Sequence, residues 1–347
     1  MKIAIHHTDR PGFFSKRWIK YCEKNDVAFK IVNCYKSDII CQLKDCDGLM
    51  WHFAQGLPVD YMLATKLIAT LETTGKKTFP NYNASWHFDD KVAQKYLLES
   101  IQAPSIKSWV SYSKKEAIKW VSSIHFPIVF KLKGGAGSAN VKLVKDKNDA
   151  NKLIRKAFGK GFRQFDRLNL FVYSLKRFSI GKAKIKDVIK EFFKIFVRSN
   201  YEKVAGKERG YVYFQEFLPN NTFDIRIVVI GNRAFGIKRM VRKNDFRASG
   251  SGSILYDKNE IDERCVKIAF EVVDKLKTNC LTFDFLFNTE NQPMIAEISY
   301  GFVQEGYDDC TGYWDKSMNW IEGRFCAQDW MVEDLITEIQ NENKLHD

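Results

Sequence analysis

The chain has 347 residues, 45% hydrophobic and 14% aromatic, which is enough apolar material for two or three small cores. Its formal net charge is +13, but residues 151–210 hold 17 Lys+Arg against 5 Asp+Glu, so that one segment carries +12 and the rest is near neutral. No run approaches the ~18 apolar residues that span a bilayer. Met1–His6 reads as a short strand followed at once by Thr8, Asp9 and Arg10 rather than as a secretory leader, so the expectation is a soluble, cytoplasmic protein.

Residues 1–87 read as a small α/β unit. Strands are expected at Lys2–His6, Val27–Val32, Gly48–His52 and Lys77–Pro80, with helical spacing between them, as at Tyr61–Thr73. Strands alternating with helices imply a parallel sheet. No glycine-rich dinucleotide fingerprint follows the first strand, which argues against a Rossmann-type cofactor there. Residues 88–101 (FDDKVAQKYLLESI) predict a helix that Pro104 ends. After it come a strand (Ser105–Val110), a helix (Lys114–Ser122), strands at Ile128–Leu132 and Asn140–Val144, and a helix at Asp149–Phe158. From Tyr211 the chain is strand-rich, with strands at Val212–Phe217, Asp224–Ile230 and Arg233–Val241, a helix at Glu263–Lys275 and a hairpin at Leu281–Ser299. The eight cysteines have no CxxC spacing and mostly apolar neighbours, which suits buried free thiols better than a zinc site.

The stretch Phe126–Val144 (FPIVFKLKGGAGSANVKLV) places lysines beside a glycine-rich turn between two strands. In a Walker loop the glycines lead into GK[ST] and a helix; here Gly134, Gly135, Ala136, Gly137 and Ser138 lead into a strand. Such a flap can lie over phosphates, because backbone without Cβ atoms lets N–H groups approach them. Alternation puts Lys131 and Lys133 on one face and Phe130 and Leu132 on the other. An ordinary glycine-rich hairpin remains the alternative.

The hairpin Leu281–Ser299 (LTFDFLFNTENQPMIAEIS) carries the sharper signal. With a two-residue turn at Glu290-Asn291, Asp284 lies opposite Glu297. Two carboxylates so close repel, and a divalent cation or a shared proton relieves them; the alternative is that one of them is solvated or paired with an arginine. Magnesium takes one or two carboxylates plus substrate phosphates. Between loop and hairpin, Asp224 and Arg226 share one strand face, Lys238 and Arg239 follow on the next strand, and Arg247 lies beyond Asn244-Asp245. Cations gathered near such a hairpin would neutralise a transferring phosphoryl group.

This ordered set of strand lysine, glycine flap, QEF, DIR, KRMVRKNDFR and D…E hairpin resembles the ATP-grasp superfamily. It is most similar to the carboxylate–amine ligases that include the ribosomal protein S6 modification enzyme and glutathione synthetase, and closer still to those of bacterial capsule and O-antigen polysaccharide clusters. The resemblance implies an α+β fold of two lobes clasping ATP, preceded by the small parallel-sheet domain. Its boundaries would be 1–87, 88–214 with a basic helical insertion at about 155–210, 215–338, and a polar tail at 339–347. It implies that Lys91 and Lys131 contact ATP phosphates, that Lys238 binds ATP, that 134–138 form the flap, and that Gln215, Glu216, Phe217 and Leu218 form the hinge against adenine. Asp224 would sit near the ribose, and Arg226, Arg239 and Arg247 would hold the γ-phosphate and the carboxylate receiving it. Asp284, Glu297 and Ser299 would hold magnesium, or manganese in its place; Ser299 stands where the family usually has asparagine. The implied chemistry is amide formation through an acyl phosphate, with ATP converted to ADP and phosphate.

The expected partners are a small-molecule or glycan carboxylate and an amine such as an amino acid. His7, Trp51, His52, Trp86, His87 and Tyr300 follow predicted strands and could line the substrate pocket, since ligands bind at carboxyl ends of parallel strands. A non-catalytic nucleotide-sensing module is the alternative that Ser299 favours. Nucleic-acid binding through the +12 segment, whose GFRQFDRLNLFVYSLKRF interleaves aromatic and basic residues, ranks behind both. Within that segment Ile185–Ser199 spaces apolar residues helically against lysines. It would either contact anionic membrane through 184–198 or pack on its own domain with a solvated basic face.

Overall fold

A computed structural model describes residues 1–134, 140–164, 184–194, 199–241 and 253–346, together with positions 171, 174, 175, 178 and 197. Among the described residues, fifteen strands form three sheets. The first, β1 (Ile3–His6), β2 (Phe29–Val32), β3 (Gly48–Met50) and β4 (Lys77–Phe79), is parallel in the order β2-β1-β3-β4. The second, β5 (Ser108–Ser111), β6 (Ile128–Lys131), β7 (Val141–Val144) and β8 (Val212–Glu216), is antiparallel in the order β5-β8-β6-β7. The third contains β9 (Phe223–Ile230), β10 (Arg233–Met240), β11 (Ile254–Leu255), β12 (Cys280–Phe287), β13 (Pro293–Ser299), β14 (Gly312–Asp315) and β15 (Trp320–Glu322). Its order is β13-β12-β9-β10-β14-β15, with β11 on β10.

The chain divides into two compact units. One comprises 1–88, 93–106 and 218–347, the other 89–92 and 107–217. In the first unit the N-terminal sheet and the seven-stranded sheet share a core. Ile3, Ile5, Phe14 and Trp18 meet Val228, Ile230, Phe235 and Cys280, and Trp330, Met331, Leu335 and Ile339 of the helix Ala327–His346 fill the same space. That helix runs on past 338, and its buried Ile339 ties residues beyond the expected tail boundary to the core. The other face of the large sheet packs Ile225, Ile227, Phe283 and Phe285 against Val266, Phe270 and Val273 of helix Glu263–Leu276. The second unit has its own core, Ile128, Phe130, Val212 and Phe214 against Ala117, Val121, Ala150 and Ile154. The chain passes from one unit to the other between Phe217 and Leu218, within the segment read as the hinge.

Glycine is needed at the β9–β10 turn: Gly231 has φ +55°, and a Cβ there would lie 2.2 Å from an Asp334 carboxylate oxygen. All eight cysteines are free thiols, six of them buried. No described helix is long and apolar enough to cross a membrane.

Tyr300 follows β13 into the first unit's core, where it is fully buried. Its hydroxyl accepts the Phe53 N–H at 2.9 Å and donates to the Phe53 carbonyl. Its ring lies 4.6 Å from Phe88 and 4.9 Å from Phe53. Tyr300→Phe keeps the packing but strands two backbone groups, so unfolding in urea should show a loss of about 2 kcal/mol.

Candidate functional site

The charged face of the seven-stranded sheet follows from strand pairing. Asp284 pairs with Glu297 on one side and Arg226 on the other, and Arg239 pairs with Asp224. Alternation then sets Asp224, Arg226, Arg239, Asp284 and Glu297 on one face, beyond the apolar stripe of Val228, Phe235 and Cys280 that enters the shared core.

The hairpin reaches this pairing by a route the sequence does not spell out. The connection is longer than the expected two-residue turn. The Asn288 N–H donates to the Gln292 carbonyl and the Asn291 N–H to the Asn288 carbonyl, each at 3.0 Å, with Asn291 left-handed at φ +55°. Near the turn the register is therefore one residue off, Phe287 facing Pro293 and Phe285 facing Ile295. A β-bulge at Ala296 inserts the extra residue and restores Asp284 opposite Glu297.

Ionic contacts on this face form a chain. Arg226 grips Asp284 through Nε at 2.5 Å and Nη2 at 2.7 Å. Arg239 grips Asp224 at 2.7 and 2.6 Å and reaches Asp284 Oδ2 at 3.0 Å. Burial pushes the Asp284 carboxyl up, but the Arg226 and Arg239 guanidiniums together outweigh it and hold it well below the usual carboxylate range. Burial leaves Asp224 raised despite Arg239. Asp224 is thus a buried counter-ion of Arg239 rather than an open ribose ligand. Tyr307, in the stretch 305–314 that follows the hairpin and is expected from the sequence to neighbour the acceptor, buries its hydroxyl in the field of Arg226 and Arg239. Burial pushes that hydroxyl up to about 12.

Other expected groups are placed differently. Lys238 falls on the opposite face of β10 from Arg239, binds Glu260 at 2.6 Å and lies 4.2 Å over the Phe223 ring. The Ser299 hydroxyl closes a tight turn, donating to the Gly301 carbonyl at 3.0 Å and accepting its N–H at 3.1 Å. Arg247 and residues 135–138 lie outside the described residues.

Magnesium fits what is present. The two Asp284 oxygens accept two hydrogen bonds from Arg226 and meet Arg239 at 3.0 Å, out of about four lone-pair sites, and Glu297 stands directly across the ladder. Among the described residues no group of three or more His, Cys, Asp and Glu is gathered. Phosphate oxygens would therefore have to complete the shell, which is magnesium's ordinary setting.

In the second unit, Phe130 and Leu132 enter the core while Lys131, 9% exposed, takes the other face with Tyr213 opposite it. Gln215 lies on that face and donates to Ser108 Oγ at 3.2 Å and Tyr213 Oη at 3.3 Å; Glu216 is exposed. Lys91 is buried, with Asp89 at 3.8 Å. The root of the glycine loop is fixed on both sides of one residue. The Lys133 N–H donates to the Tyr211 hydroxyl at 2.7 Å, and its carbonyl accepts the Lys91 N–H at 2.9 Å. Tyr211 in turn donates to buried Glu208 at 3.0 Å, which also accepts from Gln164 at 3.0 Å. These clamps join residues up to 78 apart in sequence, so no local signal announces them.

The six expected pocket residues do not form one pocket. Trp51, His87 and Tyr300 are core residues. His52 stacks on Phe14 at 3.7 Å and accepts the Phe14 N–H, and burial lowers it to about 3, so it is a neutral structural acceptor. His7 lies 3.1 Å from Ser15 Oγ, and Trp86 is exposed. Aromatic residues after parallel strands pack here as core, because the neighbouring sheet and helices cover them.

Comparison with known proteins agrees with this fold. Residues 197–312 match the RimK-like ATP-grasp domain, and residues 90–180 match the ATP-binding domain of the carbamoyl-phosphate synthase L chain. No curated protein matches the sequence. Among solved structures, a RimK-domain ATP-grasp protein from Sphaerobacter thermophilus superposes with a TM-score of 0.56 at 12% identity, over 97% of this chain and 100% of that one. The D-alanine–D-alanine ligase of Bacillus anthracis gives 0.58 at 14%, over 98% and 99%. The biotin carboxylase domain of Hydrogenobacter thermophilus 2-oxoglutarate carboxylase, solved with MgADP, gives 0.58 at 12%, over 96% and 69%. The chain has the ATP-grasp fold, and residues 197–312 are similar to the RimK-like domain of that superfamily.

Proposed function

We propose that this protein is an ATP-dependent carboxylate–amine ligase. A substrate carboxylate oxygen attacks the γ-phosphorus of ATP and ADP leaves, giving an acyl phosphate. The amine then attacks the acyl carbon, loses a proton and expels phosphate, leaving an amide. The observation that carries this reading is the Arg226–Asp284–Arg239 chain with Glu297 across the ladder. Two fixed cations of this kind would neutralise phosphoryl charge, and the two carboxylates suit magnesium, which is what supports the reading. Asp284 and Glu297 would hold that ion, which supplies charge neutralisation to the phosphates. Lys91 and Lys131 would meet the phosphates, Gln215–Leu218 the adenine, and Arg226, Arg239 and Arg247 the γ-phosphate and acceptor. Positioning and electrostatics do most of the work in such a reaction. The proposed acceptor is a sugar acid, and the proposed setting is bacterial surface-polysaccharide biosynthesis, following the resemblance of the motif set.

A second reading, a nucleotide-sensing module without turnover, draws on Ser299, whose hydroxyl is already bonded at both ends within the Gly301 turn. One experiment separates them: ADP release measured over amino acids crossed with uronic-acid sugars, with product masses. The ligase reading expects ADP that needs both an acid and an amine, and a product heavier by one condensation. ATP binding with no acid-dependent ADP across that panel would favour the sensor.

A further inference from the structure

Helix Ile185–Lys194 presents an unusual surface. Its apolar arc splits in two. Val188 is buried, while Ile185, Ile189, Phe192 and Phe193 stand 55%, 49%, 44% and 63% exposed. Lys186 and Lys190, both exposed, recur four residues apart and so line one flank of that arc. Single exposed apolar side chains are ordinary, but four on one ten-residue helix make a patch that marks a contact surface. The Phe192 ring lies 5.5 Å from that of Phe171, while Ile185, Ile189 and Phe193 carry the exposed part of the arc.

The flank decides what would cover it. A second copy of this chain would bring its own lysines against these in a segment already at +12. A nucleic acid would use the lysines but not the isoleucines. An anionic bilayer uses both, because apolar chains enter the acyl boundary while lysine stems reach back to the headgroups. We infer that the exposed face of helix Ile185–Lys194 is a docking surface for the anionic lipid of a membrane. The helix would lie along the surface, since no described helix is long and apolar enough to cross. The inference stands apart from the ligase reading, because it uses none of the residues assigned to ATP, magnesium or acceptor.

Flotation of the full chain with vesicles tests it. The protein should rise with phosphatidylcholine vesicles containing phosphatidylglycerol, stay down with pure phosphatidylcholine, and be released by salt. Lys186→Gln with Lys190→Gln should weaken partitioning on the order of 10- to 30-fold. Ile189→Ser with Phe193→Ser should weaken it on the order of 100-fold. Both pairs should melt as the wild type does, since the replaced side chains face solvent. Equal flotation with and without phosphatidylglycerol, no flotation with either, or flotation unchanged in both pairs would overturn the inference. So would salt-sensitive RNA retention without flotation, or a dimer that the Ile189/Phe193 pair dissociates.

Discussion

Asp284→Asn is expected to lower stability by about 3 kcal/mol or more and acid-dependent ADP formation on the order of 1,000-fold. The side chain is 16% exposed and lies against two guanidiniums, Arg226 and Arg239, themselves 25% and 9% exposed. Asparagine keeps the shape but removes the charge, leaving two largely buried cations with Asp224 as their remaining close counter-ion. The pH dependence has a definite sign. Because the folded carboxyl titrates below its unfolded value of about 3.9, its stabilisation is complete above that pH and is lost as pH falls toward the folded value. Wild-type stability should therefore decline on acidification below about pH 4 more steeply than that of Asp284→Asn. Asp224, raised by burial, works in the opposite sense. The informative quantity is thus the difference between the two urea-unfolding curves across pH. Parallel curves, or a variant with wild-type turnover, would remove Asp284 from the centre of the site.

The carboxylate hairpin was legible in outline because alternation survives almost any turn. Phe283, Phe285 and Ile298 had to face the core, which left Asp284 and Glu297 on the other side. The turn itself was not legible, since a left-handed Asn291 and a bulge at Ala296 cancel, and either alone would have moved Glu297 to a different partner. The Lys131 face was readable for the same reason as the hairpin, with Phe130 and Leu132 setting the phase. Lys238 could have been placed by that logic too. It is one residue from Arg239 on a strand, so the two cannot share a face. The Tyr211–Glu208–Gln164 clamp and the burial of Trp51, His87 and Tyr300 depend on contacts between distant segments, and spacing carries no record of those. The shared core of the first unit is of the same kind: the periodicity of β1 shows that it is buried, not that Phe235 and Trp330 are buried in the same cluster.

Lys131→Met and Lys238→Met make a matched pair. Methionine follows the lysine stem closely and packs adaptably, so both variants should stay folded, with melting midpoints close to wild type. Lys131 lies on the face of β6 opposite the second unit's core, on the strand that leads into the glycine loop. The loop's root is held rigidly by Tyr211 and Lys91. On the ligase reading a cation so placed would stabilise charge that develops during phosphoryl transfer, and Lys131→Met should cut turnover on the order of 100- to 1,000-fold and raise the KM for ATP. Lys131→Arg should rescue poorly, because a planar guanidinium does not replace a compact ammonium in a slot that is 9% exposed. Lys238, by contrast, is engaged by Glu260 and Phe223 on the opposite face from Arg226 and Asp284. A partly exposed ion pair of this kind contributes about 1 kcal/mol at most, so Lys238→Met should leave turnover within about two-fold. Equal losses in the two variants would mean that Lys238 leaves Glu260 during turnover. Strand alternation on β10 would then not decide which cations serve the phosphates.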